Sequence, residues 1–415
     1  MKWVRLLSFY STLFLIPSNL FFVFSRESGY IHGLLIDYLL PKLYLSDITM
    51  LISILSCFKL PNLSTLHAYL KSHWLLLVLL STLLIYNVFF VSMPLASISY
   101  LVHICLIGLF VWTAHTQKLW HNQKAVAIMF STMLLFQSAL GLYQYITQHE
   151  LFGFLLLGEP HLSVPGITHT SINGREVITP YGTTAHPNVL AGVLALGSIL
   201  LLYIQKKAKM LRKLPGWYVV SVVVISCIVI LLTQSISAAL SVLTGIICLY
   251  FLPVNISKSG ISPQKLLVLL CGVALVVGVG IYQVAQWTTE ESVVRRAWLQ
   301  NAAGVLIIHR PIWGVGVNHF TAELENYAYS PEIVRFVQPV HMVPLLFIAE
   351  TGLMGGLLLL IVARLVSRQY TFHPVILALI PLAVLDHYAL SLQTGLLLCG
   401  IYGVLVSSRK IMDSV

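Results

Sequence analysis

The sequence predicts an all-α polytopic membrane protein of about 12 transmembrane helices, and three observations carry that prediction. Of the 415 residues, 58% are hydrophobic and only 9% charged, whereas soluble domains carry roughly a quarter charged residues. Apolar runs of about 20 residues, enough to cross about 30 Å of hydrocarbon, recur from end to end. Basic residues concentrate in alternate loops, as they do where positive charge holds a loop in the cytoplasm. A soluble globule is excluded. The net charge of +10 is therefore assigned to cytoplasmic loops, and no nucleic-acid partner is expected.

Breaks at Pro, Gly and charge place the spans near 4–24, 43–58, 74–92, 96–114, 124–145, 187–204, 217–233, 236–252, 265–287, 340–363, 374–386 and 388–407. The basic start of the chain suits a signal peptide. Its apolar stretch is about 20 residues long and no A-x-A site follows, so an uncleaved first span is expected. With the N-terminus inside, seventeen of the 24 basic residues fall in inner loops, which puts both termini in the cytoplasm. The other seven are Arg26, Lys42, Arg175, Arg295, Arg296, Arg310 and Arg335. An outer face so rich in Arg suits a phosphate-bearing ligand, because guanidinium groups hold phosphate oxygens in pairs. The six cysteines lie in or beside apolar runs and form no CxxC pair, so neither a disulfide frame nor a zinc site is indicated.

Three regions follow: N-terminal membrane helices over 1–145, a long outer loop over 146–186, and a membrane core over 187–415 containing a second outer loop, 288–339. Loops this long in a compact bundle are functional or disordered, and their aromatics and turns argue for order. Within the second, residues 292–309 read as an amphipathic helix. Val293, Val294, Trp298, Leu299, Ala302, Val305 and Leu306 share a face, Thr289 and Ser292 stand at the start, and Pro311 ends it. Such a helix is expected to lie along the outer membrane surface.

The chain lacks a P-loop, a GxSxG elbow, an HExxH and paired outer carboxylates. What remains is Arg and His. His341 opens the span after the second loop, where a partly desolvated imidazole can act as a base near neutral pH. A histidine merely satisfied at a helix start is the plain alternative, but Arg335 and Gln338 lie two turns and one turn upstream. Arg295 and Arg296 are adjacent, so they point to different faces and only one can readily face His341. Binding of anionic lipid is the simpler reading of such a pair, but lipid anchoring is usual on the cytoplasmic leaflet and this pair is outside. Glu350, roughly 13 Å down its helix, suits a structural pairing role better than catalysis. Asp386 and His387 are expected at a solvent-accessible outer turn. In "GTTAHPNVLAG", residues 182–192, His186 stands near the cap of a span opened by Pro187, with Thr183, Thr184 and Asn188 beside it.

"GTTAHPNVLAG", then "ESVVRRAWLQNAAGVLIIHRPIWGVGVNHF", then "QPVHMVPLLFIAETGLMGG" together resemble the ordered motifs of the O-antigen ligase and O-antigen polymerase superfamily of bacterial membrane glycosyltransferases. The likeness covers about residues 180–356. It implies transfer of a glycan from a polyprenyl-diphosphate carrier, such as undecaprenyl diphosphate, to an acceptor hydroxyl on a lipid, glycan or protein outside the bacterial inner membrane. No metal or other cofactor is implied. His341 takes the role of base. Arg296, fifteen residues before Pro311, is the first choice for the diphosphate and Arg295 the second, with Gln338, Glu350, His186 and Asn188 in support.

Two positions depart from the family pattern. Met342 stands where an Asn usually follows the His, and Ser235 is followed by Ile236 where a Ser-Arg is usual. Arg175 or Arg335 must then supply the missing phosphate contact, or activity is altered. The rival readings are a flippase for polyprenyl-linked glycans and a catalytically degenerate scaffold of envelope assembly. Ligase and polymerase share the donor chemistry and differ in the acceptor.

Overall fold

The computed structural model describes residues 2–57, 74–164, 166–172, 174–208, 213–252, 260–288, 291–327 and 337–409. In chain order the helices are α1 (Lys2–Phe14), α2 (Leu45–Cys57), α3 (Trp74–Phe89), α4 (Pro94–Thr116), α5 (Gln123–Thr147), α6 (Pro187–Lys207), α7 (Gly216–Thr233) and α8 (Ile236–Tyr250). Then follow α9 (Pro263–Ala285), α10 (Glu291–His309), α11 (Phe320–Tyr327), α12 (Val343–Gln369), α13 (Leu379–Leu385), α14 (Tyr388–Ser391) and α15 (Gln393–Leu405).

Six of the expected spans, now α4, α5, α6, α7, α9 and α12, are helices long and apolar enough to cross a membrane. Five others, α2, α3, α8, Pro374–Leu385 and α15, are apolar but shorter. The first expected span, 4–24, is corrected. Pro17 cannot continue a helix, α1 stops at Phe14, and the β-prone Phe21–Val23 becomes β1, paired antiparallel with β4 (Lys42–Tyr44). Between them β2 (Tyr30–Ile31) and β3 (Leu34–Leu35) form a small hairpin. Another, β5 (His169–Ile172) with β6 (Arg175–Ile178), rises from the first long loop.

Helix α6 is the centre of the bundle. It is apolar on every side, as a helix surrounded by protein must be, and residues from Val189 to Ile204 are buried almost without exception. It packs against α5, α7, α8 and α15. Gly192 on α6 faces the hydroxyl of Tyr388, where any Cβ would collide. That close approach brings the start of α14 onto the head of α6.

Helix α12 is broken at Gly352, which takes φ 59° inside the helix. A break at membrane depth frees backbone groups that lipid cannot satisfy. Here the glycine-rich loop after Pro311 satisfies them. Val315 and Gly316 amides donate to the Ala349 and Glu350 carbonyls at 3.0 and 2.9 Å, while Leu353 and Met354 amides donate to Pro311 and Ile312 carbonyls at 2.9 and 3.1 Å. A Cβ on Gly352 would strike the Ile312 backbone, and one on Gly314 (φ 67°) the Glu350 backbone. Gly352→Ala is therefore expected to lower stability by about 2 kcal/mol or more, read as a drop in the thermal midpoint in detergent; an unchanged midpoint would contradict this interlock.

The amphipathic helix falls where expected, as α10. Ala297, Leu299, Ala302, Ala303 and Leu306 are its buried residues, and it packs on α9 and α12. Thr289, the expected start signal, lies outside the described residues.

Candidate functional site

The head of α6 is held by two glutamines of α5. Gln137 accepts from the Thr183 amide at 2.9 Å and donates to the Thr183 hydroxyl at 2.8 Å. Gln144 accepts from the Tyr181 and Gly182 amides at 2.9 and 2.7 Å. These clamps fix "GTTAHPN" against the bundle. His186 then caps α6, its Nδ1 accepting from the Asn188 amide at 3.1 Å. An accepting Nδ1 puts the ring proton on Nε2, which faces the Thr168 hydroxyl at 3.4 Å.

Against this head lie three residues from the far end of the chain. His341 precedes α12, whose cap is the extended Met342. Its ring meets that of His387 edge to face, centroids 4.7 Å apart. The expectation that Asp386 and His387 sit in solvent is corrected, because they are only 4% and 7% exposed. The helices flanking them, α13 and α14, are short and turn the pair inward over α6. The Asp386 carboxylate accepts from the His387 amide at 3.0 Å, and His387 Nδ1 meets the Ser391 hydroxyl at 2.6 Å. Tyr38, from the segment between β3 and β4, closes the other side of His387 at 5.6 Å. His341 Nδ1 and Asp386 Oδ2 are buried with no hydrogen-bond partner among the described residues. Two unpartnered polar atoms in one cluster mark a place built for something polar.

Burial, then the Arg296 charge and the neighbouring His186 imidazole, hold the His341 pKa down to about 3. Burial also pushes His387 well below its ordinary value, with His341, His186 and Arg296 adding to it. Asp386 moves the other way, to about 6, because burial outweighs the pull of the His387 amide, Arg296 and Asn188. Among the described residues, the free site thus holds neutral imidazoles, a carboxyl poised near its own titration, and the fixed cation Arg296.

The remaining expected residues divide. Arg295 points elsewhere on α10 and pairs with Glu291 one turn back. Arg175 is exposed at the tip of the β5–β6 hairpin, roughly 13 Å of strand from the Thr179 end. Arg335 lies outside the described residues. Gln338 is exposed on non-helical backbone, so turn counting from His341 does not apply to it. Glu350 is 7% exposed, and its carboxylate accepts from the Phe320 amide at 3.3 Å at the start of α11. It ties α11 to α12, the structural part expected of it. Glu350→Ala should cost about 1–3 kcal/mol and Glu350→Gln much less, measured by thermal unfolding; equal losses would point to a role for its charge.

Both departures from the family pattern have a structural counterpart. Met342 packs in an apolar cluster with Ala274, Ile380 and Val384. Ser235 and Ser237 are buried, and Ile236 between them is 70% exposed.

Beside the cluster an apolar groove of about 610 Å³ runs between α9 and α12, with Gln300 and Ile307 of α10 along one wall and Met342, next to His341, at its head. Ligand atoms of His341, Asp386 and His387 also lie within 4.8 Å of one another, close enough to hold a metal ion. Arg296 opposes a dication at the same place.

Neither the curated proteins nor the solved structures compared with this chain gave a match. A family model described as O-antigen ligase matches residues 221–360. The matched stretch takes in Ser235, Arg296, the glycine-rich loop, His341 and Glu350, while His186, Asp386 and His387 join the site from outside it. The match over residues 221–360 supports the O-antigen ligase superfamily that the order of the motifs indicated.

Proposed function

We propose that the protein transfers a glycan from a polyprenyl-diphosphate carrier to an acceptor hydroxyl on the outer face of the bacterial inner membrane, with both termini in the cytoplasm. One observation carries the reading: the Arg296 charge acts on His341, which packs on His387 beside Asp386, and Met342, the residue after His341, lines an apolar groove. That is the order of parts an amphipathic donor requires, with a cation for the diphosphate, a base beside it and apolar walls for the prenyl tail.

The acceptor oxygen forms a bond to the anomeric carbon as the bond from that carbon to the diphosphate oxygen breaks. The electron pair leaves with the diphosphate, where Arg296 stabilises it. The hydroxyl proton passes to His341. A neutral imidazole with a free nitrogen can accept it, although its basicity in the free site is low. The incoming diphosphate offsets the Arg296 charge, one of the causes of that low basicity, and adds negative charge nearby, so the donor itself raises the pKa of the base. Asp386, once ionised, stabilises the imidazolium.

Asp386 sets a pH dependence. Its pKa is raised to about 6, so the carboxyl is protonated below that and ionised above it. Transfer measured as kcat/KM should rise with pH through about 6, and Asp386→Asn should lose that limb; a variant that keeps it would assign the limb to another group. EDTA should leave the rate unchanged, since Arg296 supplies the positive charge. Loss on chelation with recovery on added zinc would move the role to the His341, Asp386 and His387 donor set.

The break in α12 favours a second reading, a flippase, because transporters place broken helices at their sites. Glu350 beside that break is occupied by the start of α11, which argues for a fixed joint. Liposomes holding the protein, a polyprenyl-diphosphate-linked glycan and a candidate acceptor separate the two. New glycan–acceptor product supports transfer, whereas lipid movement with no product supports the flippase.

A further inference from the structure

At the opposite end of the bundle, about 30 Å away along the 21 residues of α6, a cavity of about 420 Å³ opens between the α4–α5 turn and the last turns of α6 and α15. Lys118, Lys207, His115 and His121 line it, and no carboxylate does among the described residues. The aromatic floor includes Trp120, which is 9% exposed and whose indole N–H has no acceptor. Buried indole donors ordinarily find a partner, and this ring lines the cavity.

A second lobe of about 630 Å³ shares Lys118 and His121 and adds Arg5 with apolar Trp3 and Leu7. Arg5 reaches Gln117 through Nη1 at 3.4 Å, while its Nε has no acceptor. Trp3 and Leu7 are 84% and 71% exposed, an outward apolar edge that suits acyl chains. The positive field is not neutralised locally: besides burial, Lys206 and Lys207 hold the nearby His373 pKa down to about 4.

We propose that this two-lobed cavity binds the phosphodiester headgroup of an anionic phospholipid, its oxygens taken by Lys118, Lys207 and the Trp120 N–H, its acyl chains by the Trp3 and Leu7 edge. Ammonium groups and an indole donor suit a phosphate diester, and basic pockets between helices on the inner side of a membrane are where such headgroups dock. A free phosphate would use the basic lobe and leave the apolar one without purpose. The site stands apart from the outer one and does not rest on its reading.

Native mass spectrometry of the full chain in detergent tests this, with dioleoylphosphatidylglycerol, dioleoylphosphatidylcholine and inorganic phosphate as probes. Phosphatidylglycerol adducts should form at least ten-fold more readily than phosphatidylcholine adducts. Lys118→Gln with Lys207→Gln should weaken them about ten-fold, and Trp120→Phe, which keeps the ring, several-fold. Arg364→Gln with Arg368→Gln should leave them unchanged, and all variants should keep the wild-type melting curve. Equal binding of the two lipids, or equal weakening by the Arg364 and Arg368 changes, would overturn the site. Millimolar phosphate that binds alone and displaces the lipid would overturn the lipid assignment in favour of a soluble anion.

Discussion

Replacing His341 with alanine should lower the rate of glycan transfer by about 10³-fold or more while leaving the protein folded and able to bind donor. A positioned general base contributes roughly 10²–10⁴-fold, and His341 has a buried ring nitrogen with no partner among the described residues. His387 presents its Nδ1 to Ser391, so it positions its neighbour, and His387→Ala should cost less than His341→Ala. His186 is committed to the cap of α6; its loss should appear mainly in stability, by about 1 kcal/mol. Initial rates of product formation with thermal midpoints beside them distinguish these cases. Equal rates for wild type and His341→Ala would remove the base from the mechanism.

Arg296→Ala should cost about 10²–10³-fold, the size expected on removing a fixed donor from a developing oxyanion. The loss should fall on KM as well as kcat, since the diphosphate carries charge before and after the bond breaks. Arg296→Lys should recover only part of it, because a point charge lacks the planar fork. Arg295→Ala should be nearly neutral, as Arg295 pairs with Glu291. A second readout follows from the sign of the Arg296 effect on Asp386. Arg296 lowers that pKa, so its removal should move the acid limb of the pH profile above about 6. A residue needed only for packing would leave the limb in place.

Helix positions were legible because periodicity and Pro breaks are local. The amphipathic pattern of 292–309 became α10, and Pro187 with His186 marked the head of α6 as capping chemistry requires. Asp386 and His387 mislead for a physical reason: between two apolar runs a polar pair looks like a turn in water. Length held the contrary signal. Pro374–Leu385 is a short apolar helix, and about a dozen residues span roughly 18 Å, too little for the hydrocarbon core. A segment that short must end inside protein, and its polar end is then buried. Gln338 failed differently, since helical spacing was applied to residues that precede the helix. The interlock of the glycine-rich loop with Gly352 needed three dimensions, because the Gly-x-Gly and "ETG" motifs show no partner in sequence.

The central claim is that Arg296 and His341 work on one bond, and the stoichiometry of that bond tests it. The reconstituted wild-type protein should release free polyprenyl diphosphate and glycan–acceptor product in equal amounts. Arg296→Ala and His341→Ala, alone and together, should suppress both products in step, with the double variant little worse than His341→Ala. Product formed at the wild-type rate in either variant, or polyprenyl diphosphate released without glycan transfer in the wild type, would contradict the account.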